Sequence, residues 1–110
     1  MLMVFNPQCE HCQHETEELL SHMDWFKGVT IVMATSMPFD SMINFRERYK
    51  LAEHPNIIVG QDDQYFLISF YGVRSLPFLA FYDKKGKLIS VSRSTMPIDK
   101  VAAELKKPGI

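Results

Sequence analysis

The stretch of sequence that decides the fold lies near the start of the chain, where residues 4–12 read VFNPQCEHC. Residues 2–5 are a continuous apolar run of strand length, and the Asn-Pro pair that follows ends it. A helical pattern comes next, from residue 9 or 10 to residue 26, with one apolar stripe. This order of strand, turn and helix predicts that Cys9 and Cys12 lie at the start of the first helix.

These two cysteines are the only ones in the chain. A disulfide between residues three positions apart restricts the unfolded chain little, so stability is a poor reason for it. Two cysteines also cannot fill a four-cysteine zinc or iron–sulfur site. Since the thiolate is the reactive form and a helix N-terminus stabilises an anion, we expect Cys9 to be the exposed attacking nucleophile. Cys12 lies one turn further along, on the apolar stripe, and we expect it to be the shielded resolving thiol.

Three charged neighbours are candidates for tuning this pair. His11, as an imidazolium, would favour the Cys9 thiolate, whereas Glu10 would act in the opposite direction. Glu15 is three residues after Cys12 and therefore shares its helix face. Two interpretations of Glu15 stay open: a proton acceptor for Cys12, or a first-turn carboxylate that interacts only with the helix dipole.

The length and composition are those of one globular domain, residues 1–110. Apolar residues make up 46% of the chain and the formal net charge is -1, so we expect no nucleic-acid partner. The apolar runs are too short and too interrupted for a membrane span.

The hydrophobic pattern predicts the order β-α-β-α-(β)-α-β-β-α. Beyond the first strand and helix, the expected strands cover residues 29–34, 56–60 (only partly in the sheet), 77–82 and 87–93. The expected helices cover residues 41–51 and 63–71 and a last segment that starts at residues 96–97 and is ended by residues 108–109. The first two strands should be parallel and the last two antiparallel. A mixed sheet with helices on both faces follows, and we expect Phe66, Phe70 and Phe78 in its core.

Two further segments carry a family resemblance together with the cysteine motif. Residues 71–78 read YGVRSLPF and residues 83–87 read DKKGK. With these, nearly the whole chain resembles the thioredoxin superfamily, and it looks closest to the extracytoplasmic TlpA/ResA-like branch. The resemblance implies a thioredoxin-like three-layer α/β/α sandwich with a mixed central sheet. It also implies that Pro77 is a cis-proline facing the cysteines, that Leu76 offers its backbone to an extended substrate, and that Glu15 matches a glutamate of such reductases.

The activity implied by the resemblance is dithiol–disulfide exchange with protein substrates, catalysed as a thiol-disulfide oxidoreductase and most often as a reductase. Electrons would pass to or from a partner redox protein, with no organic cofactor and no metal. The implied location is the bacterial periplasm or cell envelope, with a targeting segment that this sequence does not include. A cytoplasmic thioredoxin is the alternative.

This sequence also departs from the family pattern at several positions. Gln8 replaces the tryptophan that often precedes the first cysteine, and His11 stands where protein disulfide isomerases and DsbA-like oxidases have histidine. An oxidase or isomerase therefore stays open as an alternative to a reductase. Relatives usually have additional strands before the first strand here. Without them we expect residues 29–33 to form a bare sheet edge, open to pairing in an edge-strand dimer.

Three alternatives from other classes fit the sequence less well than this interpretation. Cys9, Cys12, His11 and His14 are close in sequence and are soft or borderline metal ligands, as in a copper or zinc module. In helical geometry, however, His11 and His14 cannot both easily converge with the two cysteines. A peroxiredoxin would rely on one peroxidatic cysteine rather than an adjacent pair. Covalent haem attachment needs a histidine directly after the second cysteine, where Gln13 stands.

Overall fold

The computed structural model describes all 110 residues. The chain forms five strands and four α-helices, with short 3₁₀ turns at Met23–Phe26 and Leu51–Glu53. In chain order the elements are β1 (Leu2–Val4), α1 (Glu10–Ser21), β2 (Ile31–Thr35), α2 (Phe39–Arg48), β3 (Ile57–Gln61), α3 (Phe66–Tyr71), β4 (Phe78–Tyr82), β5 (Leu88–Ser92) and α4 (Ile98–Glu104). The predicted order is confirmed, although the long first helix ends at Ser21 and continues only as a 3₁₀ turn.

The sheet is mixed, with the strand order β3-β2-β1-β4-β5. β1, β2 and β3 are parallel, whereas β4 is antiparallel to both β1 and β5. The crossovers through α1 and α2 both advance in the same direction along the sheet, so right-handed connections place both helices on the same face. Because β1 to β3 are parallel, the turns that follow them meet at one end of the sheet.

The core lies mainly on the face covered by α1, α2 and α4. Fifteen buried residues form one cluster there, including Phe5 from the sheet region, Leu19 from α1 and Phe45 from α2. The opposite face has a smaller cluster of Val4, Phe78 and Ala80, packed against α3. The three-layer α/β/α sandwich predicted from the sequence is therefore confirmed, with α3 as the main helix of its thinner layer.

The prediction that residues 29–33 form a bare edge is wrong. β3 pairs with β2 in five consecutive register positions, from Ile31 beside Ile57 to Thr35 beside Gln61. The reason is that residues 56–60 are a full strand rather than a partly paired segment. Gly60 and the polar Gln61 interrupt its apolar pattern, which hides the strand in the sequence. The open edges of the sheet belong to β3 and β5.

Two of the three aromatic residues expected in the core lie outside it. Phe78 is fully buried, but the side chains of Phe66 and Phe70 are 62% and 67% exposed. The two rings stack on each other, with centroids 5.8 Å apart, on the outer side of the short helix α3. None of the helices has both the length and the apolar character needed to cross a membrane.

Candidate active site

Two hydrogen bonds of Asn6 and one of Gln13, whose Nε2 donates to the Pro7 carbonyl at 2.8 Å, hold the turn between β1 and α1. The side-chain Oδ1 of Asn6 accepts from the N–H of Gln8 at 2.8 Å, and the Asn6 carbonyl accepts from the N–H of Cys9 at 3.0 Å. Such asparagine side-chain bonds shape a tight turn. The turn places Cys9 at the N-cap of α1, with extended backbone angles of φ -81° and ψ 120°.

The sulfur of Cys9 lies between two backbone groups. It accepts from the N–H of Cys12 at 3.4 Å, as the side chain of an N-cap residue does. The Cys9 thiol also faces the carbonyl oxygen of Leu76 at 3.9 Å, although the two residues are 67 positions apart in sequence. Cys9 is partly exposed and both cysteines are free thiols. The more exposed sulfur is thus the one at the helix terminus, where an anion is stabilised.

Cys12 lies one turn further into α1 and is completely buried. Burial raises the pKa of the Cys12 thiol to about 12, and the nearby Cys9 and Glu15 add to the shift because a second negative charge is unfavourable beside them. The two thiols therefore sit in different surroundings, one partly in solvent and one in the core.

Glu15 is also buried, with 4% of its surface exposed. Its Oε1 accepts from the N–H of Met96 at 2.7 Å, which ties α1 to the segment before α4. Burial raises the pKa of the Glu15 carboxyl above its usual range, and the hydrogen bond from Met96 offsets part of that rise. A groove of about 460 Å³ borders this carboxyl and is lined by His14, Glu15, Glu18 and residues 95–99.

The segment Gly72–Pro77, which we call the proline loop, forms the other side of the site. The Leu76–Pro77 peptide bond is cis, as the family resemblance implied, and Pro77 is buried at the start of β4. The N–H of Leu76 has no hydrogen-bond acceptor within the protein. The structure therefore brings Cys9, Cys12, Leu76 and Pro77 together at one end of the sheet.

The remaining candidate residues are less closely connected to the cysteines. Glu10 and His11 are both exposed, and neither side chain forms a hydrogen bond or ion pair with another residue. His14 pairs instead with Glu18, at 3.7 Å. No three side chains of His, Cys, Asp or Glu converge in a way that could hold a metal ion.

Two contacts near the site were not found from the sequence. The first is the Met96 N–H that binds Glu15, which no side-chain pattern can reveal because the donor is a backbone group. The second is Arg93, whose guanidinium binds the carbonyls of Tyr71 and Gly72 at the start of the proline loop. The predicted hairpin could have suggested Arg93, but a bulge between Phe81 and Tyr82 shifts its register by one residue.

Comparison with known proteins agrees with this fold. A family model described as a thioredoxin-like domain matches residues 1–108. The chain belongs to the thioredoxin-like domain family, as the sequence resemblance indicated. No curated protein matches the sequence.

Several solved structures share the fold. A secreted disulfide oxidoreductase of Mycobacterium tuberculosis, homologous to E. coli DsbE, superposes with a TM-score of 0.77 at 21% identity, covering 94% of this chain and 77% of the other. StoA of Bacillus subtilis gives 0.70 at 16% identity, covering 96% and 80%. The exposed lipoprotein thioredoxin Etrx1 of Streptococcus pneumoniae gives 0.63 at 27% identity, covering 94% and 82%. The chain thus has the fold of thiol-disulfide oxidoreductases.

Proposed function

We propose that this protein is a thiol-disulfide oxidoreductase that exchanges its Cys9–Cys12 dithiol with disulfides of protein substrates. The observation that carries the proposal is the pairing of a partly exposed thiol at a helix N-cap with a fully buried thiol one turn later. The first can reach a substrate, and the second is protected from every sulfur except that of its neighbour. Both features are needed for a two-step exchange.

In the reducing direction the first step is attack by the Cys9 thiolate on one sulfur of the substrate disulfide. A mixed disulfide forms between Cys9 and the substrate, and the second substrate sulfur leaves as a thiolate and takes up a proton. The Cys12 thiolate then attacks the Cys9 sulfur and releases the first substrate sulfur. The substrate gains two electrons and two protons, while the Cys9–Cys12 pair is oxidised to a disulfide.

The second step needs a base because Cys12 must lose its proton. With a pKa of about 12, the buried Cys12 thiol is almost entirely protonated at neutral pH. Glu15 lies on the same helix face, and burial moves its pKa upward, toward values better suited to accepting a proton. The groove beside Glu15 gives a route by which that proton can reach solvent. We assign Glu15 as the proton acceptor of Cys12.

The proline loop docks the substrate chain. The free N–H of Leu76 and its carbonyl, 3.9 Å from the Cys9 sulfur, offer a donor and an acceptor to an extended peptide. Such backbone pairing binds a peptide with little dependence on its sequence. Glu10 and His11, exposed beside the cysteines, tune the stability of the thiolate.

Direction and location follow the resemblance to the TlpA/ResA-like branch, so we propose a reductase of the cell envelope, supplied with electrons by a partner redox protein. The similar structures include a secreted protein and an exposed lipoprotein, which supports that location. A dimer through a sheet edge stays a prediction. It would have to form through β3 or β5, which are the edges of this sheet.

Reduction of insulin disulfides by the protein in the presence of dithiothreitol tests the activity. Wild-type protein should accelerate the reaction, Cys9→Ser should not, and Cys12→Ser should accumulate a mixed disulfide with the substrate that gel electrophoresis detects. Equal activity of wild type and Cys9→Ser would refute the proposal. The reduction potential of the pair tests the direction, since a value near about -270 mV fits a reductase and one near about -120 mV an oxidase.

A further inference from the structure

Arg93 directly follows β5 and spans the gap between the β4–β5 hairpin and the end of α3. Its Nη1 donates to the carbonyl of Gly72 at 3.0 Å, and its Nη2 donates to the carbonyl of Tyr71 at 3.1 Å. The last carbonyl groups of a helix accept no hydrogen bond from within the helix, so they need donors from outside it. One guanidinium therefore fixes the point at which the proline loop leaves α3.

A second contact fastens the middle of the proline loop to the same residue. The hydroxyl of Ser75 donates to the carbonyl of Arg93 at 2.8 Å, one residue before Leu76. The guanidinium also lies over the ring of Phe78, 5.5 Å from its centroid, within the range of a cation–π contact. Phe78 directly follows Pro77, so Arg93 contacts the chain on both sides of the Leu76–Pro77 pair.

The strand register explains why this position suits an arginine. Leu79 pairs with Ser92, so the next residues outward, Phe78 and Arg93, lie side by side on the face of the sheet that α3 covers. A guanidinium presents several N–H groups in one plane, which lets it bind two carbonyls while stacking on an aromatic ring. A lysine ammonium is a point charge and cannot satisfy all three contacts at once.

We propose that Arg93 is a positioning residue, which holds the backbone of Leu76 at the distance from Cys9 at which a polypeptide substrate docks. The inference rests on the proposed function. No hydrogen bond joins Arg93 to either cysteine, so it acts only through the proline loop. Its loss should therefore weaken recognition of polypeptide disulfides and leave the reactivity of Cys9 toward a small disulfide unchanged.

The test compares two substrates in single-turnover reactions of the reduced protein. One is a disulfide-linked peptide, which needs docking, and the other is hydroxyethyl disulfide, which does not. Arg93→Met should raise the half-saturating peptide concentration about tenfold, because a misplaced docking group is costly. Its rate with hydroxyethyl disulfide should stay within about twofold of wild type, as expected for an exposed substitution. Arg93→Lys should recover part of the peptide affinity.

Arg46→Met is the matched control, since Arg46 is an exposed arginine of α2, outside the site, whose side chain makes no hydrogen bond or ion pair. It should behave as wild type with both substrates. Ser75→Ala, which removes the other tie and leaves Arg93 in place, should weaken peptide binding alone and to a smaller degree. Equal peptide binding by Arg93→Met and Arg46→Met would overturn the inference, as would an equal loss with both substrates. Failure of wild type to react with the peptide, or full activity of Cys9→Ser, would instead overturn the proposed function.

Discussion

The active site has a cysteine side, formed by α1 and the turn before it, and a proline side, formed by α3, the proline loop and the β4–β5 hairpin. Contacts that are short-range in sequence build the cysteine side, whereas long-range contacts build the proline side. The Asn6 carbonyl and the Cys12 N–H each bind Cys9 from three positions away. The ties between the proline loop and Arg93 join residues 18 to 22 positions apart. The cysteine side therefore needs little more than its own turn and helix, while the proline side forms only when α3 and the β4–β5 hairpin are both in place.

The largest expected effect is a difference in labelling rate between the two cysteines, Cys9 and Cys12. A thiol with a pKa of about 12 is a thiolate in about one molecule in ten thousand at pH 8, and Cys12 is also buried. We expect iodoacetamide to label Cys9 of the reduced native protein and to leave Cys12 unlabelled on the same timescale, as measured by peptide mass spectrometry.

The control for this measurement is the same reaction in denaturant, where both cysteines should be labelled at similar rates. If the native protein is labelled on Cys12 as fast as on Cys9, the two thiols do not differ in access. The assignment of attacking and resolving roles would then fail.

Within the proline side, loss of a buried aromatic side chain should cost far more stability than loss of an exposed one. Phe78 is fully buried, with its ring 5.0 Å from that of Tyr71. Phe78→Ala should lower the free energy of unfolding by about 3–5 kcal/mol, because it leaves a cavity under α3. Phe66→Ala makes the same chemical change on a side chain that is 62% exposed, and should cost about 0.5 kcal/mol or less. Urea unfolding of both variants measures the difference, and equal losses would contradict the assignment of Phe78 to the core.

The same contrast explains which parts of the site could be predicted from sequence. Strand, turn and helix around Cys9 and Cys12 follow from apolar runs and turn residues that are adjacent in the chain. The apolar stripe of α1 correctly predicted the burial of Cys12. By contrast, Leu76 and Pro77 were placed opposite Cys9 only through the resemblance to a family, since no local pattern links residues 67 positions apart.

Arg93 could not be placed because strand register depends on a detail that sequence hides. Without the bulge at Phe81 and Tyr82, the pairing of Tyr82 with Leu88 would place Val91 opposite Leu79. The bulge places Ser92 there instead, and so brings Arg93 beside Phe78. A slip of one residue turns a side chain to the other face of the sheet. The strand β3 was underestimated for a related reason, because its pairing with β2 compensates for a weak apolar pattern of its own.

Glu15 is the exception on the cysteine side, because its partner Met96 is 81 positions away, and it gives the smallest effect that we expect to measure. Burial raises the pKa of the folded Glu15 carboxyl above its ordinary value of 4.5, so the folded protein binds this proton more tightly than the unfolded chain. Stability from this group is therefore lost as pH rises from about 4.5 through the higher folded pKa, and the loss is constant above it.

Glu15→Gln removes the titration but keeps an oxygen that can accept from Met96. Across that pH range its free energy of unfolding should rise relative to wild type, as measured by urea unfolding of the reduced proteins. Glu10→Gln, the same change on an exposed side chain of α1, is the control, and parallel pH profiles for wild type and Glu15→Gln would show that the buried carboxyl does not resist ionisation.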